Sequence, residues 1–297
     1  MMEPLAIADR GGLRAPLGEG QTSPIEVRQL GSLEEYRQCE ELQSRVWGPD
    51  DVVRVPALVM ITAHINGGFA FGAFAEGQII GFVLASPGLT ATGQVKQCSI
   101  LMAVDSHFQN SGVGYRLKLA QREATLAQGI DLITWTFDPL ASANSHLNLH
   151  KLGCVAGRYF VNLYGTAEHG LNAGLPTDRL LAEWWIREPA VVDRLAGVPA
   201  APPLDLPAVA EVAPDRRTGL PALSSVELDR GEPALLVEIP ESIRAIKLAD
   251  LELASRWRSG LREILQHYFA RGYRVAGFHR LPHQDRLRHC FLLARTA

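Results

Sequence analysis

Lysine is nearly absent from this chain. Of 29 basic residues only Lys96, Lys118, Lys151 and Lys247 are lysine; the rest are arginine. The basic excess that sequence-independent nucleic-acid binding requires is missing too, because 32 acidic residues leave a formal net charge of −3. Cysteine is sparse. Cys39, Cys98, Cys154 and Cys290 are scattered without Cys-x-x-Cys spacing. They are expected to be reduced, mostly buried thiols of a cytoplasmic protein. No apolar run approaches membrane-spanning length, so no membrane partner is expected. The N-terminus lacks a basic patch followed by an apolar run, so no signal peptide is expected. What remains is an ordinary globular composition, 47% hydrophobic and 21% charged, over 297 residues. That length suits one large domain or two modest ones.

The most informative stretch is 98–129. Residues 99–104 are almost unbroken apolar, which suits a strand covered on both faces. From Val113 the apolar residues fall at Leu117, Ala120, Ala124 and Ala127, one helical stripe, and Gly129 stands where a helix C-cap belongs. Between strand and helix lies Gln109-Asn110-Ser111-Gly112-Val113-Gly114. A turn of this kind presents free backbone N–H groups at the positive end of a helix dipole. That is an anion site, usually for phosphate, and glycine lets the backbone approach closely. No Gly-Lys-Ser/Thr follows, so it is not a P-loop, and it is not Gly-x-Gly-x-x-Gly.

Gln109-x-x-Gly112-x-Gly114, preceded by a strand ending Leu101-Met102-Ala103-Val104-Asp105, resembles the acetyl-CoA motif of the GNAT acyltransferase superfamily. The resemblance implies that amides of Gln109, Asn110, Ser111, Gly112, Val113, Gly114 and Tyr115 grip the CoA pyrophosphate. It implies that the edge at Met102, Ala103 and Val104 pairs with the pantetheine arm, and that backbone N–H groups near Met102 polarise the thioester carbonyl. It also implies an Asn early in the fourth helix touching CoA. Here that is Asn144, or Ser142, with a plain N-cap as the competing reading for either. The family often places a Tyr three residues before the Leu-Gly that ends that helix; before Leu152-Gly153 the residue is Leu149. His150, Asn148 and Tyr164 are the nearby substitutes as proton donor.

The flanking sequence is expected to give the order β-α-α-β-β-β-α-β-α-β-β over 25–186. Ser32 with Glu35 forms a capping-box signature, Glu76-Gly77 a hairpin turn, and 130–137 a strand that makes a βαβ unit with 95–129. The expected organisation is a loose leader over 1–24, an α/β GNAT-like domain with a mixed sheet over 25–190, and a Pro/Ala-rich linker over 191–222. A βαββ subdomain over 223–297 follows, with Ala254, Trp257, Leu261, Ile264 and Tyr268 along one helix face.

Other candidates carry a bland reading beside the sharp one. His146 and His150 share a helical face, but Leu147 stands where a metalloprotease helix needs Glu, so no metal is expected. Asp138 and Glu183 are candidate water-mediated bases or ordinary loop carboxylates. Arg258 and Arg262, four apart beside Arg256, could grip an acidic acyl group or form a solvated helix face. The resemblance thus implies an acyl-CoA-dependent N-acyltransferase, using acetyl- or succinyl-CoA as co-substrate and a small-molecule amine, an amino acid for example, as acceptor. A protein N-acetyltransferase and a non-catalytic acyl-CoA-binding module are the alternatives, and a homodimer is open.

Overall fold

The computed structural model describes residues 24–48, 54–165, 174–198, 205–283 and 286–295. The expected leader up to residue 23, most of the expected loops at 50–56 and 165–177, and Pro199, Pro202 and Pro203 of the expected linker lie outside the described residues. Two compact units form, one from Met1–Pro87 with Ser99–Gln128 and one from Gly88–Cys98 with Gly129–Ala297.

The first unit begins with β1 (Glu26–Gln29), α1 (Leu33–Trp47) and α2 (Ala57–Ile65). The Ser32 side chain accepts from the Glu35 N–H and the Glu35 carboxylate accepts from the Ser32 N–H, so the capping box forms as its sequence signature predicts. β2 (Phe69–Ala75) and β3 (Gln78–Leu89) form an antiparallel hairpin. Its turn holds Glu76 at φ 51° and Gly77 at φ 76°, the paired left-handed residues that match strand twist. β4 (Val95–Val104) follows, and then α3 (Val113–Ala127). The strand order is β1-β2-β3-β4. Leu42, Met60, Phe74 and Phe82 lie in the core with α1 and α2, while Ile80 and Val83 pack with Val113 and Leu117 of α3. Two-sided cover explains why β2 and β3 are apolar without alternation.

Two expectations fail here. β4 is not covered on both faces: Ser99 and Ala103 are buried, but Leu101 and Met102 are half-buried and Ile100 is 46% exposed. An apolar run reports apolarity, not which residues are enclosed. The inward face of α3 is not the alanine stripe either. Val113, Leu117, Lys118, Gln121 and Thr125 are buried, whereas Ala120 and Ala124 are half-buried and Ala127 is exposed. Polar side chains face inward where acceptors meet them. Lys118 Nζ donates to Ser99 Oγ at 2.8 Å and to Gln121 Oε1 at 3.0 Å, and Thr125 Oγ1 donates to Gln121 O at 2.8 Å.

In the second unit β4 pairs in parallel with β5 (Leu132–Phe137) through Gln97 with Ile133 and Cys98 with Thr134. A short helix α4 (Ser142–Ser145) runs on as a π-helical segment (His146–Lys151), whose Leu152 N–H reaches back five residues to Leu147 O at 3.0 Å. The single α-helix expected over 142–152 is thus widened midway. β6 is only Tyr159–Phe160, not the long strand expected over 155–164, since Asn162 turns the chain at φ 48°. β7 (Arg179–Trp185) lies antiparallel between β5 and β6. The order through β7 is the expected β-α-α-β-β-β-α-β-α-β-β, a GNAT-like α/β fold on a mixed sheet.

Beyond it come α5 (Pro189–Leu195), the ribbon β8 (Ala210–Pro214) with β9 (Pro221–Val226), and β10 (Ala234–Ile239). α6 (Ile243–Ala249), α7 (Leu251–Ala270), β11 (Tyr273–His283) and β12 (Arg286–Arg295) complete the chain. β10, β12 and β11 form an antiparallel sheet in that order. Helices α5 and α6 and the β8–β9 ribbon are additions to the expected elements. The predicted apolar face of α7 is buried throughout. Among the described residues no helix is long and apolar enough to cross a membrane.

Candidate functional site

The candidate anion site is built from the end of β4 downward. After Val104 the Asp105 N–H donates to Ile80 O at 2.8 Å, which anchors the exit of the strand to β3. The Asp105 carboxylate accepts from the His107 N–H at 3.1 Å and lies 3.5 Å from Arg45. The bond from the His107 ring Nδ1–H at 2.9 Å, with its backbone N–H and Arg45 behind it, holds the carboxyl below its usual range. A single 3₁₀ turn (Ser106–Phe108) follows. Gln109 Nε2 then donates to Val104 O at 3.2 Å, and Ser111 Oγ donates to Phe108 O at 2.6 Å. These two bonds fold the loop back on the strand end.

Asn110 at φ 63° and Gly112 at φ 88° are both left-handed, and they reverse the chain into α3. Gly112 is the N-cap of α3; it offers no side-chain oxygen, and the first turn carries no acidic residue. A Cβ built on Gly112 would meet nothing within 4 Å, so its outer side is open. The N–H groups of Val113, Gly114 and Tyr115 therefore open the helix with neither a side-chain cap nor a carboxylate beside them. An uncapped helix start reached through a left-handed glycine suits a phosphate-sized anion. Every loop residue expected to hold the pyrophosphate, from Gln109 to Tyr115, falls in this one turn. Met102, Ala103 and Val104 form the strand that leads into it.

The remaining candidates lie in the second unit. Tyr164 is 65% exposed, with its hydroxyl 2.9 Å from Thr136 Oγ1 on β5. Thr136 is two positions past Thr134, the residue paired with Cys98 of β4. Asn144 lies exposed in α4, and Leu149 is buried. His150 is built into packing: its Nδ1–H donates to Phe278 O at 3.1 Å, and its ring stacks on His146 with centroids 4.7 Å apart. Burial lowers its pKa and so favours the neutral ring, although the hydrogen bond to Phe278 O acts in the opposite direction. Burial, with Arg280 and His150 nearby, pushes His146 down to about 4.

A depressed histidine stabilises the fold only while neutral. Its contribution is complete above the ordinary value of 6.5 and is lost as pH falls through the folded value of about 4. Urea midpoints measured at pH 7 and pH 5 should fall with pH, and His146→Phe should flatten that fall.

Sequence reasoning missed the polar network around α7. The solvated-face reading is overturned for Arg258 and Arg262, while Arg256 is exposed as that reading expects. Arg258 is 3% exposed and donates from Nη1 and Nη2 to the two Asp138 oxygens, both at 2.7 Å. Arg262 donates to the Asp178 carboxylate at 2.8 and 2.9 Å. Both forks are occupied by carboxylates of this chain, so neither serves an acidic acyl group, and Asp138 is an ion-pair partner and not a free base. Glu183 lies half-buried in β7. Burial pushes the Asp178 carboxyl up, but the bonds from Arg262, Tyr159 and the Asn162 N–H outweigh it and hold it below its usual range. Among the described residues no group of three or more His, Cys, Asp or Glu is arranged to hold a metal ion.

No protein-family model matches the sequence, and no curated protein does. Solved structures do resemble it. One is an acetyltransferase of the GNAT family from Streptococcus pneumoniae, 17% identical, with a TM-score of 0.43, covering 54% of this chain and 97% of that one. A second is the NatC complex bound to Gag peptide and CoA, 14% identical, with a TM-score of 0.43, covering 54% of this chain and 96% of that one. A third is an aminoglycoside acetyltransferase from an uncultured soil metagenomic sample, in complex with sisomicin. It is 18% identical, with a TM-score of 0.35, covering 39% of this chain and 78% of that one. Each of these matches spans about half of this chain or less.

Proposed function

We propose that the chain is a GNAT-type N-acyltransferase that takes its acyl group from CoA and passes it to a small-molecule amine. One observation carries this reading: the uncapped start of α3, reached through left-handed Gly112 directly after β4. It supplies an anion site for the CoA pyrophosphate at the end of a strand whose edge can hold the thioester arm. In this reading the acyl-CoA site belongs to 25–190, and 191–222 links it to the C-terminal subdomain.

The mechanism is direct transfer. Amides of Asn110 to Tyr115 hold the diphosphate, and a backbone N–H near Met102 polarises the thioester carbonyl as charge builds on its oxygen. The neutral amine attacks, a C–N bond forms and the C–S bond breaks. The proton shed by the amine goes to water, and the thiolate takes one from water.

The reading is tested by CoA titration, followed by thiol release from acetyl-CoA and succinyl-CoA across a panel of amines. CoA binding with no release on any amine, peptide amines included, would leave an acyl-CoA-binding module. Release on peptide amines alone would make it a protein acetyltransferase. No CoA binding would end the assignment.

A further inference from the structure

One seam of the second unit is lined by histidine. The π-helical segment His146–Lys151 lies against β11, the end strand of its sheet. The His150 Nδ1–H donates to Phe278 O at 3.1 Å, in the way a neighbouring strand would donate. Around that bond the rings form a chain. His146 stacks on His150 with centroids 4.7 Å apart and planes 16° from parallel, and it meets Phe278 edge-on at 6.3 Å. His150 meets His279 edge-on at 6.2 Å, and Phe278 meets His289 edge-on at 6.1 Å. His289 Nδ1 lies 2.6 Å from Ser142 Oγ at the start of α4. Four histidines thus join α4 and its π-helical continuation to β11 and β12.

The charges around the stacked pair are positive. Lys151 follows His150 in the segment, and Arg194 of α5 donates to His150 O at 3.0 Å. Arg280 stands opposite His289 in the ladder between β11 and β12. Arg280 and Lys151 bear on both stacked rings, and Arg194 on His150 and His279. The carboxylates of Glu238 and Glu241 bear on His289, and Glu238 is already held by Arg286 and Arg288. A proton on His146 or His150 therefore meets burial and like charge. Two protons on rings stacked at 4.7 Å would also repel each other.

We infer that this seam is an acid-sensitive latch, which releases α4 and the π-helical segment from β11 in mild acid while the rest of the chain stays folded. The inference asks nothing of CoA and stands apart from the acyltransferase reading. The latch holds while its rings are neutral. Burial lowers all four histidines from the ordinary value of 6.5, His146 to about 4. The released segment takes up protons below 6.5 that the closed seam refuses, so closure is complete above 6.5 and is lost as pH falls toward 4. The segment can open by itself because side chains hold it to β11, whereas a backbone ladder joins β11 to β12.

Amide exchange on the whole chain tests this, read as protection factors so that the pH dependence of the chemical step cancels. Between pH 7.5 and pH 5 the amides of His146–Lys151 should lose protection about thirtyfold through the His146 proton alone. That loss should be the same in low, non-denaturing urea, because a local opening exposes little surface, whereas protection along α7 should fall with urea. His146→Phe keeps a ring against His150 and Phe278 and should remove most of the loss. His283→Phe, at an exposed position of β11, should leave it unchanged. Protection at His146–Lys151 that tracks α7 in pH and urea alike would overturn the inference, as would a loss that survives in His146→Phe. The urea comparison uses the unaltered chain and decides the matter even where His146→Phe fails to fold.

Discussion

Gly112→Glu should abolish measurable CoA binding. Two effects act together. At φ 88° a side-chain-bearing residue is strained by about 1–2 kcal/mol, which weakens the turn itself. The larger effect is electrostatic. The new carboxylate would sit at the uncapped start of α3, where three N–H groups await an anion. It would occupy that positive end itself and repel a diphosphate by about 4 kcal/mol at 4 Å and surface-like screening. Affinity should fall by at least about a hundredfold, equivalent to about 2.8 kcal/mol. Gly112→Ala separates the two effects. Because a Cβ there meets no protein atom, any loss of stability reports backbone strain alone, and any further loss of affinity reports the ligand's approach. Calorimetric titration with CoA, beside urea unfolding of each variant, reads both. Full affinity in Gly112→Glu would remove the loop from the site.

Arg258→Met should cost the fold about 3–5 kcal/mol. Its guanidinium is 3% exposed and pairs with both Asp138 oxygens, so truncation strands a carboxylate in a largely dry setting. Asp138 would keep Arg179 at 3.9 Å, the Leu140 N–H at 2.8 Å and the charge of Lys247. Asp138→Asn in the same chain keeps an acceptor for Leu140 and removes the stranded charge, so the double variant should regain most of the loss. Arg256→Met is the contrast. Its side chain is 53% exposed and pairs with Asp215 across the surface, which predicts a loss within about 1 kcal/mol. Urea unfolding of the variants, compared at constant m-value, decides the matter. Equal losses for Arg256 and Arg258 would mean that burial does not set the worth of these pairs.

Much of the candidate site was legible because it is local. The Gln109–Gly114 loop owes its shape to a left-handed glycine, to side chains bonding two to five residues away, and to the helix that follows. Turn chemistry and capping act over one or two turns of chain, so a short stretch contains them whole. For the same reason Glu76-Gly77, the Ser32–Glu35 box and the apolar face of α7 are as predicted. The π-helical widening at His146–Lys151 was not legible, since its residue types do not differ from those of an α-helix.

By itself the sequence determined the strand–loop–helix turn after β4, the element order through β7 and the absence of a P-loop. Each is a matter of local periodicity and punctuation. Only the tertiary structure decided which polar groups turn inward. Lys118 faces the core because Ser99, brought beside it by β4, and Gln121 accept its protons. Arg258 is buried and Arg262 half-buried because Asp138 and Asp178, 120 and 84 residues distant in sequence, meet them. A helical arginine looks the same in sequence whether it faces water or a carboxylate. Its burial is decided by the partner that chain closure delivers, and without that partner desolvation would have kept it at the surface.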